Sequence, residues 1–121
     1  MSLRILGSLV FGFGLLACGS DDSSGVAGSK KLVELSTTEI GDLCDYTSDV
    51  QGGYGTSKVC GDGITVTVPA RASCISRLEA TAASCTATVD TAEACAEAVG
   101  EDLCKLLSEP KCAFALQCSD G

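Results

Sequence analysis

Nine cysteines and no histidine limit the chemistry this chain can attempt. Thiolates can bind zinc, attach haem, exchange electrons or close disulfides, and spacing separates these uses. Zinc ligands commonly come in C-x2-4-C pairs, often with histidine. Haem attachment and thioredoxin-like exchange need C-x-x-C. Cys44, Cys60, Cys74, Cys85, Cys95, Cys104, Cys112 and Cys118 stand no closer than six positions apart. They are therefore read as structural disulfides, and neither a metal nor another cofactor is expected. The missing histidine removes Ser-His-Asp and Cys-His nucleophilic sites. Carboxylates remain: Glu93 and Glu97 fall four apart on one predicted helix face, followed by Glu101 and Asp102. Paired carboxylates serve glycoside hydrolysis, in clefts usually lined with aromatics. Beyond residue 35 the aromatics are Tyr46, Tyr54 and Phe114 alone, so a solvated acidic face is expected, and no enzyme. Asp45 and Asp49 lack an EF-hand loop for calcium. The GGYG stretch at 52–55 lacks the lysine and strand-to-helix setting of a phosphate loop.

The ninth cysteine stands apart. Arg4 gives the N-terminus a short positive region, and Ile5 to Ala17 are all apolar or small. A membrane span needs roughly 20 such residues, and this run is too short for one but suits the apolar region of a signal peptide. It ends at Leu15, Leu16, Ala17, Cys18 and then turns polar at Asp21 and Asp22. This tetrapeptide resembles the lipobox of bacterial lipoproteins. The resemblance implies cleavage after Ala17, diacylglycerol in thioether linkage on Cys18, and acylation of the new amino group, for example with palmitate. Two or three acyl chains hold stably where one is marginal, at about 0.8 kcal/mol per buried methylene. Gly19 stands where an inner-membrane retention signal would place aspartate, which implies the outer membrane. The whole chain also resembles the uncharacterised small, cysteine-rich lipoproteins of Gram-negative bacteria. That likeness rests on the lipobox, the glycine-rich stretch before Cys60 and the segment CTATVDTAEAC at 85–95, and it implies no activity.

Three regions follow: a signal peptide over 1–17, a lipidated flexible tether over 18–35 rich in Gly, Ser and charge, and a cysteine-rich domain over 36–121. The chain carries 16 acidic against 8 basic residues, a net charge of −8, and the surplus lies in 36–121. Nucleic-acid binding needs clustered Lys and Arg, so it is not expected. The domain is small, rich in alanine and poor in large apolar residues. Such a core buries little area. Assigning Cys18 to lipid leaves an even eight cysteines, hence four disulfides in an exported domain. Each closed loop of a dozen or so residues contributes about 3 kcal/mol in the chain-entropy model.

The elements that must position these cysteines are short. Ser36 and Glu39 form a capping box, with Leu35 and Ile40 as a staple, and predict a helix over 37–48. Lys58 to Cys60, the turn Gly61-Asp62-Gly63, and Ile64 to Val68 predict a small hairpin, with Ile64, Val66 and Val68 on one face and Cys60 pinning the turn. Helical spacing returns over 70–85. Asp90 with Glu93, stapled by Val89 and Ala94, predicts a helix over 88–100 that stops at Gly100. Another short helix over 101–110 ends at Pro110, and residues 111–121 offer a last turn or two. The expected fold is mainly α, four to five short helices with a small β-hairpin, stapled by disulfides. Eight cysteines allow about a hundred pairings. If the helices around 70–85 and 88–100 pack antiparallel, Cys85 and Cys95 lie near their shared connection, and a bridge between them is expected.

Tyr46 and Tyr54 flank the glycine loop. A tyrosine ring is apolar and its hydroxyl wet, a combination that suits interfaces, so this loop is the first candidate for a recognition surface. Burial of Tyr46 against the first helix is the alternative. The expected role is a membrane-anchored, extracytoplasmic, non-enzymatic module that contacts an envelope protein or serves as an envelope structure. The alternative is a carrier of a small hydrophobic ligand or lipid, with alanines lining a cavity among the helices.

Overall fold

The computed structural model describes residues 23–118. The expected signal peptide over 1–17 and Cys18 lie outside the described residues. Within them the fold is mainly α, with four helices, short 3-10 turns, a two-stranded hairpin and four disulfides. No described helix is long and apolar enough to cross a membrane.

Helix α1 runs Thr37–Val50. Its capping box forms as the sequence predicts: the Glu39 N–H donates to Ser36 Oγ at 3.1 Å, and the Ser36 N–H donates to the Glu39 carboxylate at 2.9 Å. Ile40, Leu43 and Cys44 share its buried face at helical spacing. Strands β1 (Ser57–Val59) and β2 (Thr65–Thr67) pair antiparallel, Ser57 with Thr67, Lys58 with Val66 and Val59 with Thr65. The turn between them carries Gly61, Asp62 and Gly63 all at positive φ, and Asp62 is the one described residue other than glycine to do so. Val66 and Val68 pack on the core, whereas Ile64, expected beside them, is 45% exposed.

Helix α2 is Arg71–Glu79, shorter than the stretch 70–85 that spacing suggested. Past the C-cap Ala80 the chain leaves the helix, and the Ala82 N–H donates across the fold to the Cys118 carbonyl at 3.0 Å. The sequence there, TAAS, also has no large apolar side chain to hold another turn on the core. Helix α3 covers Val89–Val99. Thr88 caps it, accepting from the Thr91 N–H at 3.4 Å. Asp90, the expected cap, instead lies in the first turn, where its charge favours the helix dipole. Two 3-10 turns, Leu103–Leu107 and Pro110–Cys112, replace the helix expected over 101–110. Pro110 cannot donate to a continuing helix and starts the second turn instead. Helix α4 is the short Phe114–Cys118.

Two clusters of buried side chains lie along α3. One gathers Val26, Leu32, Leu43 and Val89; the other gathers Val68, Cys95, Val99, Leu103 and Cys112. Phe114 packs against both, so one aromatic ring joins two small cores.

Two sequence expectations are corrected. Part of the segment expected as flexible tether is structural. Residues 24–35 form a strap across α1 and α3 in which Val26 and Leu32 are buried. Lys31 bridges Thr88 in antiparallel fashion, the Leu32 N–H donates to the Ala87 carbonyl at 3.0 Å, and the Val89 N–H donates to the Lys30 carbonyl at 2.9 Å. Burial of Leu32 and these backbone bonds outweigh the Gly and Ser content that suggested a linker. The bridge between Cys85 and Cys95 does not form. The pairs are Cys44–Cys74, Cys60–Cys104, Cys85–Cys118 and Cys95–Cys112. Cys85 lies in the irregular segment before α3, where the Ala82–Cys118 hydrogen bond brings α4 beside it. Cys95 lies well inside α3 and faces the cluster that holds Cys112.

Candidate functional site

The hydroxyls of the two tyrosines chosen from sequence each bond a carboxylate of the fold. The Tyr54 hydroxyl donates to Asp45 Oδ1 on α1, and the same oxygen accepts from Arg71 Nε of α2 at 2.9 Å. The Tyr46 hydroxyl donates to Glu97 Oε2, tying α1 to α3. Tyr46 is half-buried and Tyr54 is exposed. The glycine loop between them is itself bonded inward: the Gly53 N–H to the Ser48 carbonyl at 2.7 Å, the Gly55 N–H to the Val68 carbonyl at 3.0 Å. Asp45 is held below the usual carboxylate range, first by the hydrogen bond from Arg71 and then by that from Tyr54. Partial desolvation, then the bond to Asp45, pushes the Tyr54 phenol up.

The carboxylate pair on α3 also has structural work. Glu93, expected on a solvated face, is buried, and its carboxylate accepts from both the N–H and the hydroxyl of Ser24 in the strap. Glu97 holds Tyr46. The two therefore hold different partners, Ser24 of the strap and Tyr46 of α1. Ser23, Ser24, Asp42, Asp45, Tyr46 and Asp49 line a shallow recess. Among the described residues no group of three His, Cys, Asp or Glu could hold a metal ion.

A different surface has the shape of a binding site. Between the strap, α2 and α4 runs an open groove of about 600 Å³, lined by Leu32, Leu78, Ala80, Thr81, Phe114 and Ala115 among others. It adjoins a second recess of about 320 Å³ that shares Leu32, Leu78 and Thr81 and extends to Leu35 and Ile40, the expected staple pair. Val33, in that recess, is 39% exposed, and Leu116, next to the lining residue Ala115, is 85% exposed. Arg77 and Glu79 stand on the walls of the two recesses. The larger groove, where Leu32, Leu78, Phe114 and the alanines outweigh Arg77 and Thr81, suits contact with another apolar surface, whereas the smaller recess also presents Thr37, Glu79 and Thr81. Sequence reasoning missed this groove because its walls come from three segments far apart in the chain. The one local signal is Phe114, the sole phenylalanine among the described residues.

Comparison with family models, with curated proteins and with solved structures finds no match to this chain.

Proposed function

We propose that the protein is a lipid-anchored, extracytoplasmic interaction module, held to the outer membrane through Cys18, that docks an envelope protein into the groove between the strap, α2 and α4. The observation that carries this reading is the open groove, lined by Leu32, Leu78, Phe114 and Ala115, on a body cross-linked by four disulfides. A rigid surface loses little entropy on binding, which favours recognition. The side chains that sequence offered for chemistry are committed elsewhere: the eight cysteines to bridges and Glu93, Glu97 and Asp45 to hydrogen bonds. The lipobox LLAC supports the anchor.

A second reading, carriage of a small hydrophobic ligand, rests on the same groove. Carriers usually bury most of their ligand's surface, and this groove is open along its length, so the docking reading is preferred. Cross-linking in intact envelopes with wild-type protein and an Ala115→Glu variant, at an exposed residue of the groove lining, tests it. A partner cross-linked by wild type and lost on the variant is expected. Equal capture by both, or none by either, contradicts docking at this face. Native mass spectrometry of the soluble domain with a bound small molecule would favour carriage instead.

A further inference from the structure

The four bridges differ in how far they are shielded. Cys44–Cys74 includes a fully buried Cys44, and Cys85, Cys118, Cys95 and Cys112 are all buried. In Cys60–Cys104 alone, among the described bridges, both cysteines are only half-buried. This bridge joins the hairpin turn to the 3-10 turn Leu103–Leu107 and spans 44 positions. Exposed aliphatic side chains surround it in the chain: Val59 at 71%, Ile64 at 45%, Leu106 at 40% and Leu107 at 57%. The connectivity sets it apart as well. Cys44–Cys74 closes a loop in the first half of the domain, and Cys95–Cys112 lies nested inside Cys85–Cys118 in the second half. Cys60–Cys104 is the described bridge that ties one half to the other.

We propose that Cys60–Cys104 is a reducible site for thiol–disulfide exchange with a dithiol reductant, and that its opening frees the hairpin while the helices stay packed. Exchange requires in-line access of a thiolate to a sulfur, so exposure selects the bridge that reacts first. One thiolate of the reductant attacks one sulfur of the bridge, forms a mixed disulfide and expels the other cysteine as a thiolate. The reductant's second thiolate then attacks its own sulfur in the mixed disulfide and releases the remaining cysteine. The reductant leaves as an internal disulfide, and Cys60 and Cys104 gain two electrons and two protons.

The hairpin is the element such a step would release. Beyond its own pairing, its packing is chiefly on the 3-10 turn that Cys104 anchors. Its ion pair, Lys58 with Asp102 at 3.4 Å, is half-exposed on both sides, and such pairs hold weakly. Helix α1 packs directly on α2 and α3, and the strap crosses both α1 and α3, so these contacts do not pass through the hairpin. Opening the bridge would uncover Val66 and Val68 and the cluster beneath them, which is an apolar surface absent from the oxidised form.

Graded reduction of the full mature protein with dithiothreitol, followed by alkylation and peptide mapping, tests the proposal. Cys60 and Cys104 should be alkylated at least tenfold faster than any other pair. Simultaneous labelling of all eight cysteines, or another pair labelled first, would overturn it. Hydrogen exchange on the singly reduced species, and on a Cys60→Ser/Cys104→Ser variant, supplies the second measurement. Amides over 57–67 should lose protection at least tenfold, while those of α1 and α3 change less than threefold. Loss of protection in the helices, or an unchanged hairpin, would overturn the release of the hairpin.

Discussion

Asp45 holds three pieces of chain through a single oxygen. Its Oδ1 accepts from Tyr54 of the glycine loop and from Arg71 at the start of α2, while the residue itself belongs to α1. Glu39 acts similarly at the start of α1, where Lys30 of the strap donates to both its oxygens at 2.8 and 2.9 Å. Each carboxyl is held below its ordinary value, Asp45 by Arg71 first and Glu39 by Lys30 first. A folded-state pKa lower than the unfolded one stabilises the protein above the unfolded value, about 4 for these groups, and the benefit is lost as pH falls through the folded value. Stability attributable to these two residues should thus be complete above about pH 5 and decline on further acidification. Asp45 is exposed and Glu39 partly so, and solvent screens both ion pairs, so the effect is small, about a few degrees in Tm. Asp45→Asn should lower Tm by that amount at pH 7 and flatten the decline between pH 5 and 2. Thermal melts across that range check this; a variant with the same acid slope as wild type would assign the acid sensitivity to other carboxylates.

The strap shows which elements a sequence reveals and which it hides. Helix α1 was legible because its capping box is local: Ser36 and Glu39 are three apart and bond each other. The termination of α3 at Gly100 and the turn of the hairpin were legible for the same reason, since glycine at positive φ marks both places. The strap has no such signature. Val26, Leu32 and Leu35 follow neither a helix nor a strand period, and the strap's ties to the segment before α3 and to its first turn are backbone bonds, which leave no side-chain pattern. The disulfide partners and the groove were hidden too, because each depends on elements meeting from distant parts of the chain. Energetically the strap is part of the core. Leu32 is 2% exposed and packs with Leu43 and Val89. Leu32→Ala should cost about 2–5 kcal/mol, the range for truncating a buried leucine. Its neighbour Val33, 39% exposed, should cost under about 0.5 kcal/mol on replacement by alanine. Chemical denaturation of the two variants decides the matter. Equal midpoints would return the segment to the status of a linker.

At the scale of the molecule, two small cores joined by Phe114 must hold a body with a net charge of −8. Like charges oppose the compact state, and the fully buried large side chains, Leu43, Leu103, Val89 and Val99, are few. The bridges act on the other side of the balance. They close separations of 30, 44, 33 and 17 positions, and each restricts the unfolded chain by roughly 3–4 kcal/mol in the entropy model. Because the loops nest and interlock, the contributions do not add, but even half the sum is comparable with the whole stability of a typical domain, about 5–15 kcal/mol. Complete reduction should therefore abolish the cooperative thermal transition, while opening Cys60–Cys104 alone lowers Tm and leaves a transition in place. Circular dichroism of the oxidised, singly reduced and fully reduced protein separates these states. A fully reduced protein that melts like the oxidised one would show that the two cores suffice without the cross-links.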